Sequence, residues 1–258
     1  METKLNVALI QTDLVWEQPG ENRKHIEFYL NKVSKRADVI FLPEMFTSGF
    51  TMNPKSVAES MSGTTITWMK NWSVKLGAAI AGSLVVEENG KFYNRFVWVN
   101  DDGSTHYYNK RHLFTLAGED QVYEEGTDQS VFNFKGWNVC LRICYDLRFP
   151  VWSRNKNTYD LLVFVANWPA PRINAWDALL KARAIENMSY VIGVNRIGKD
   201  AKKNEYPGHS VVYDLLGHAT ISPGEEGGVL ETILDKKVQD EVRTTLNFLE
   251  DQDSFLLQ

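Results

Sequence analysis

The run Leu5–Gln11 has the apolar-rich character of a strand, and Asp38–Leu42 repeats it. Between them Glu21–Arg36 carries Ile26, Tyr29, Leu30 and Val33 at helical spacing, so the chain opens as strand, helix, strand. A second helix is predicted from about Thr65 to Leu76, led by Ser62-Gly63-Thr64, with Ile66, Met69 and Trp72 on one face. The strand Ala78–Val86 follows it. Lys91–Asn100 and Ser104–Asn109 are joined by the turn-formers Asn100-Asp101-Asp102-Gly103 and read as a hairpin. Beyond the loop Thr115–Gln129, strands are expected near Ser130–Phe134 and at Trp137–Ile143, with a short helix after Phe149-Pro150.

The second half continues the alternation. Strands are predicted at Asp160–Ala166 and Tyr190–Asn195, a helix at Ile173–Met188, hairpin strands near His209–Asp214 and His218–Ile221, and a strand at Gly228–Leu234. Asp235–Phe248 reads as a terminal helix. The tail Leu249–Gln258, with Phe255, Leu256 and Leu257, is expected to dock on the body or on a partner subunit. Alternating strands and helices with no linker or composition break imply one α/β domain with a mixed sheet. At 258 residues and 43% hydrophobic content, the chain can bury a large core without dividing.

Charge and composition narrow the function. A formal net charge of −5 with no long basic run argues against nucleic acid as a partner and favours a small molecule. The N-terminus enters a strand directly, without the basic and apolar regions of a leader, and no apolar stretch nears 18 residues; a cytosolic protein with no membrane partner is expected. The histidines at 25, 106, 112, 209 and 218 lack metal-ligand spacing, so neither metal nor other cofactor is expected. Cys140 and Cys144 lie on one predicted strand, roughly 13 Å apart at ~3.3 Å per residue, too far for a disulfide.

Chemistry concentrates where strands end. The apolar run Val139–Ile143 stops at Cys144 and turns into Tyr145-Asp146-Leu147-Arg148. A thiol held there is rigid, and the first backbone N–H groups of the following turn, Tyr145 foremost, can stabilise developing negative charge. Phe41-Leu42-Pro43-Glu44 closes another strand with a carboxylate. Tyr107-Tyr108-Asn109-Lys110-Arg111-His112-Leu113-Phe114 follows a third with an ammonium. A cysteine attacks an amide as a thiolate, so a base must take its proton and a cation must meet the oxyanion.

Leu-Pro-Glu, Asn-Lys-Arg-His-Leu-Phe and Ile-Cys-Tyr-Asp-Leu-Arg-Phe-Pro, in this order, resemble the carbon–nitrogen hydrolases of the nitrilase superfamily. The resemblance covers almost the whole chain and implies a four-layer α-β-β-α sandwich, a homo-oligomer and a Glu44, Lys110 and Cys144 triad. Val165–Arg172 and Ala182–Asn187 look most like the omega-amidase subgroup, which opens the terminal amide of 2-oxoglutaramate. A second glutamate found after the lysine in several members matches Glu119 best, with Glu124 and Glu125 as rivals.

The implied function is hydrolysis of short dicarboxylic acid monoamides (2-oxoglutaramate, 2-oxosuccinamate or succinamate) by water through a thioester. An N-carbamoyl amino acid hydrolase, an aliphatic nitrilase, a soluble acyltransferase and a catalytically silent binding protein are the alternatives. Nitrilases usually place Trp-Glu after the cysteine, whereas this chain has Tyr145-Asp146. Trp168 and Arg172, in a proline-stiffened loop after a buried strand, are candidates for the substrate pocket, Arg172 for a carboxylate contact. Arg148 is a further candidate, set against a structural tie to Asp146 or a neighbouring subunit. Phe46, Phe50, Tyr93 and Phe114 have core packing as their first account, with Phe46 and Phe114 kept as pocket candidates. Arg183 and Glu186 are expected to pair along their helix in support of the site.

Overall fold

The structure, a computed structural model, describes residues 3–156, 158–221 and 224–256. In chain order the strands are β1 (Lys4–Gln11), β2 (Val39–Phe41), β3 (Ala79–Glu88), β4 (Lys91–Val99), β5 (Thr105–Asn109), β6 (Val131–Phe134) and β7 (Trp137–Ile143). There follow β8 (Leu161–Ala166), β9 (Tyr190–Asn195), β10 (Ile197–Lys199), β11 (Glu205–Pro207), β12 (Val211–Tyr213), β13 (Ala219–Ile221) and β14 (Gly228–Asp235). The α-helices are α1 (Pro19–Leu30), α2 (Thr64–Leu76), α3 (Ile173–Asn187) and α4 (Lys236–Leu246).

Two six-stranded sheets, β14-β1-β2-β3-β4-β5 and β13-β12-β9-β8-β7-β6, make up most of the fold. Each has parallel pairs at its centre, β1-β2-β3 and β7-β8-β9, and antiparallel strands outside them. The period of two along each central strand sorts its side chains into layers. Leu161, Val163 and Val165 of β8 join Val7, Phe41 and Trp98 in the core between the sheets. Leu162, Phe164 and Ala166 face Trp176, Leu180 and Ala184 of α3. On the other side, Ile40, Ile80 and Val97 pack against Ile26 and Leu30 of α1 and Ile66 and Met69 of α2. These three interfaces make the four α-β-β-α layers, which explains why β8 is apolar throughout.

Several boundaries differ from the sequence pattern. The first helix ends at Leu30 rather than Arg36, because bonds from Lys32 N to Tyr29 O and Val33 N to Leu30 O tighten the chain toward β2. The short helix expected after Phe149-Pro150 does not form; residues 151–153 make only a turn. A 3-10 segment spans Cys144–Arg148 instead, because the Asp146 carboxylate turns back to accept the Ile143 N–H at 3.0 Å. The pair β10-β11 was not anticipated: Arg196–Pro207 is too polar to show strand alternation. In the tail, Leu249 packs with Met188 and Leu215, and Lys156 sits over the Phe255 ring at 4.0 Å. Leu257 and Gln258 lie outside the described residues. No helix among the described residues is long and apolar enough to cross a membrane.

Candidate active site

The carboxyl ends of β2, β5, β7, β8 and β9 deliver Glu44, Lys110, Cys144, Asn167 and Asn195 to one region. Glu44, Lys110 and Glu119 are fully buried. Lys110 Nζ lies 3.1 Å from Glu44 Oε1 and 2.8 Å from Glu119 Oε2, so one ammonium serves both carboxylates. Glu119 also accepts the Phe114 N–H at 2.6 Å, and Glu44 accepts the Asn167 N–H at 2.7 Å. Glu124 and Glu125 instead make surface pairs with Lys91 and Arg111. Close approaches make room for this packing. A Cβ on Gly82 would meet Leu42 Cβ at 2.8 Å, and one on Gly126 would meet the Asn109 carbonyl oxygen at 2.1 Å. Only glycine lets β3 lie against the Glu44 loop and residue 126 close over the approach to Lys110.

Cys144 departs from the strand geometry that its sequence position implies. Its φ is +45°, and Met45, next to Glu44, has φ +43°. Such values are uncommon for residues other than glycine and cost of order 1–3 kcal/mol each when the surroundings enforce them. Cys144 therefore does not simply repeat the direction of Cys140, which points into the core beside α3. Both cysteines are free thiols. Asp146 enforces the bend: besides Ile143 N it accepts Tyr108 OH at 2.8 Å and His112 N at 2.9 Å. Arg183 braces the far end, donating to Leu147 O at 2.6 Å and pairing with Glu186 at 2.9 Å. Asp146→Ala should strand these buried donors and cost about 2–4 kcal/mol. A lower urea midpoint with an unchanged m-value would record it.

Burial pushes the Cys144 thiol well above its ordinary range; the Glu44 carboxylate adds to this by charge and by hydrogen bonding, Lys110 opposes it and Glu119 adds again. These effects favour the neutral thiol, beside the Glu44 carboxylate. Burial also works against the Lys110 ammonium, but Glu119 and Glu44 outweigh it and hold lysine charged far above its usual range. Burial raises Glu119, Lys110 pulls it down and Glu44 raises it again, leaving it above the usual carboxylate range.

Cys144 and Lys110 line a cavity of about 220 Å³ together with Phe50, Phe114, Tyr145, Trp168 and Arg172. Phe50 and Phe114 thus wall the cavity. Phe46 does not: it is fully buried between the sheet and the helices, 6.1 Å from the Trp68 ring, because residue 46 turns inward behind Glu44. Tyr93 flanks Arg95 at 5.3 Å. Trp168 is clamped at both backbone groups by the Asn195 side chain, N–H to Oδ1 at 2.8 Å and O from Nδ2 at 2.9 Å. Arg148 lines the same cavity and lies over Trp168 at 5.1 Å. The alternative tie of Arg148 to Asp146 is not made, since Asp146 is occupied by Tyr108, His112 and Ile143. Arg172 lies over Phe114 at 5.3 Å, and among the described residues neither guanidinium has a carboxylate partner.

The polar segment after β10 supplies a rim absent from the sequence reading: Asp200, Lys202, Asn204 and Tyr206. Asp200 accepts from Lys202 N, Asn204 N and Tyr206 OH at 2.9, 2.9 and 3.0 Å; burial opposes its charge, but these bonds hold it below the usual carboxylate range. Lys202 is left exposed beside Arg148 and Arg172 as a third cation at the mouth.

The sequence model of the family described as carbon-nitrogen hydrolase matches residues 6–244. This chain belongs to the carbon-nitrogen hydrolase family. Among relatives of the hydrolase, the omega-amidase YafV of Yersinia enterocolitica is 43% identical over 98% of each chain. The 2-oxoglutaramate amidase of Bacillus subtilis is 35% identical over 96% of this chain and 97% of its own. A CN-hydrolase superfamily protein of Xanthomonas campestris, solved with an arsenic adduct in its active site, superposes with a TM-score of 0.96 at 38% identity, covering 99% of both chains. The hydrolase is thus an amidohydrolase of the nitrilase superfamily, acting on carbon–nitrogen bonds.

Proposed function

We propose that the hydrolase is an omega-amidase that converts the terminal carboxamide of short dicarboxylic acid monoamides, of the 2-oxoglutaramate, 2-oxosuccinamate and succinamate type, to carboxylate and ammonia. One observation carries this reading: a thiol and the lysine of a buried Glu–Lys–Glu cluster line one cavity, where among the described residues the Arg148 and Arg172 guanidinium groups have no carboxylate partner. At about 220 Å³ the cavity is smaller than the roughly 300–1,000 Å³ of drug-sized sites, which suits a small substrate. The names of the omega-amidase and 2-oxoglutaramate amidase relatives point the same way.

In this mechanism Cys144 Sγ bonds to the amide carbon as its proton passes to Glu44, and the carbonyl electron pair moves to oxygen. Lys110 Nζ and the Tyr145 N–H stabilise that oxyanion. Collapse breaks the carbon–nitrogen bond, Glu44 returns the proton to nitrogen, and ammonia leaves a Cys144 thioester. Water then adds to the thioester carbon, giving a proton to Glu44. The second collapse expels the thiolate, which recovers that proton. Glu119 holds Lys110 and orients it between the two carboxylates. Arg148 and Arg172 bind the distal carboxylate, Arg172 by its planar fork. The chain acts as a single domain, with its C-terminal helix and tail seated on its own body.

Ammonia release from 2-oxoglutaramate, succinamate, an aliphatic nitrile and N-carbamoyl-β-alanine, by wild type and Cys144→Ala, tests the assignment. Release from the first two, lost in the variant, supports it; release from the nitrile or carbamoyl compound alone overturns the substrate. Arg172→Met and Arg148→Met should each raise KM for succinamate about tenfold or more, the worth of one charge-assisted contact. Turnover of an uncharged amide such as butyramide should change little. Equal losses on both substrates would remove the arginines from carboxylate recognition.

A further inference from the structure

Asn94 is an uncharged side chain that touches both carboxylates of the site, with its backbone bonded to that of Lys110, and it belongs to no motif in the sequence. It is fully buried in β4. Its Nδ2 donates to Glu44 Oε1 at 2.8 Å and to Glu119 Oε1 at 3.3 Å, and its backbone carbonyl accepts the Lys110 N–H at 3.0 Å. At the other end Asn94 Oδ1 accepts from Ser83 Oγ at 2.9 Å. Ser83 Oγ in turn accepts the N–H of Met45, the residue after Glu44, at 2.8 Å.

The direction of this chain of bonds follows from its first member. A backbone N–H only donates, so Met45 occupies a lone pair of Ser83 and leaves the hydroxyl proton for Asn94 Oδ1. That orients the amide with both N–H groups toward the carboxylates. A flipped amide would place its carbonyl oxygen against two carboxylate oxygens in a buried site, where such repulsion is strong. Met45 adopts its left-handed conformation at the point where its N–H reaches Ser83.

We propose that Ser83 and Asn94 are positioning residues for hydrolysis: the Ser83-oriented amide holds Glu44 and Glu119 in register with Lys110 and keeps Glu44 available to accept the Cys144 proton. This rests on the reading of Glu44 as proton acceptor. It predicts that loss of either residue slows the chemical step without weakening substrate binding.

The test compares wild type, Asn94→Ala and Ser83→Ala by two readouts. One is kcat and KM for ammonia release from succinamate. The other is the rate of Cys144 alkylation by iodoacetamide, followed by the mass of the Cys144 peptide, which requires no assumption about the natural substrate. Asn94→Ala should lower kcat about 30- to 100-fold and Ser83→Ala about 5- to 10-fold, with KM within about twofold, as for loss of a group that orients a catalytic residue. Alkylation should slow in the same order. If Asn94→Ala does not fold, Ser83→Ala, which removes a single oxygen, decides. Wild-type kcat and alkylation rates in the folded variants, or a raised KM at unchanged kcat, would overturn the proposal. Slowed alkylation in a protein whose wild type releases no ammonia would retire the amide substrate and leave the positioning role standing.

Discussion

Cys144→Ala is expected to abolish amide hydrolysis, by at least about 10⁴-fold in kcat/KM, because in the proposed mechanism Cys144 is the covalent nucleophile and every step depends on it. The fold should persist, since residue 144 is bent by Asp146 and braced through Arg183 rather than by its own thiol. Cys144→Ser should be nearly as inactive: the hydroxyl holds its proton more tightly than a thiol, and a single carboxylate must remove it. Because burial keeps the resting thiol neutral, wild-type alkylation should show no rise at the pH where an ordinary thiol ionises, near 8.5. An alkylation profile with a normal thiol titration would mean that the enzyme carries a preformed thiolate, and the proton would then have left before substrate arrives.

Lys110→Met is expected to have the next largest effect, acting on rate and stability together. Loss of one oxyanion donor costs about 10²–10³ in kcat. Glu44 and Glu119 also lose the ammonium that both contact, and breaking a buried pair from one side costs about 3–5 kcal/mol. The sign of the pH dependence follows from Glu119, already above the usual carboxylate range in the presence of the lysine. A carboxyl raised in the folded state favours folding below its unfolded pKa and loses that contribution as pH rises through the folded value. The variant should therefore be most stable in mild acid and weaken toward neutrality, with urea midpoints falling as pH rises above the ordinary carboxylate range. A midpoint independent of pH would show that water reaches and solvates the carboxylates.

Much of the architecture is legible in the chain. Strand β8 is apolar at every position because both of its faces are covered, and α3 carries Trp176, Leu180, Arg183, Ala184 and Asn187 on its buried face. The catalytic candidates stand out because each interrupts or ends such a run. Asn94 left a weaker signal. It and Arg95 are adjacent polar residues in the middle of the apolar strand β4, so whichever face is buried must hold one of them. In the structure both are fully buried. Arg95 turns away from the site to Glu88, 3.0 Å, and Asn94 turns toward it. The rim Asp200–Tyr206 left none, because a polar segment that folds by its own turn bonds looks like any surface loop.

Periodicity and chemical type are properties of neighbouring residues, so the sequence by itself determined the order of the main strands and helices, though not the pair β10-β11, and the identity of the groups at their ends. Glu44, Lys110 and Cys144 are widely separated along the chain, and no local rule sets the distances among them. Only the tertiary structure decided that one ammonium bridges two carboxylates, that Phe46 lies behind the site while Phe50 and Phe114 wall it, and that Arg148 is free of Asp146. Each depends on how two sheets meet, and there burial changes the energy of every charge brought together.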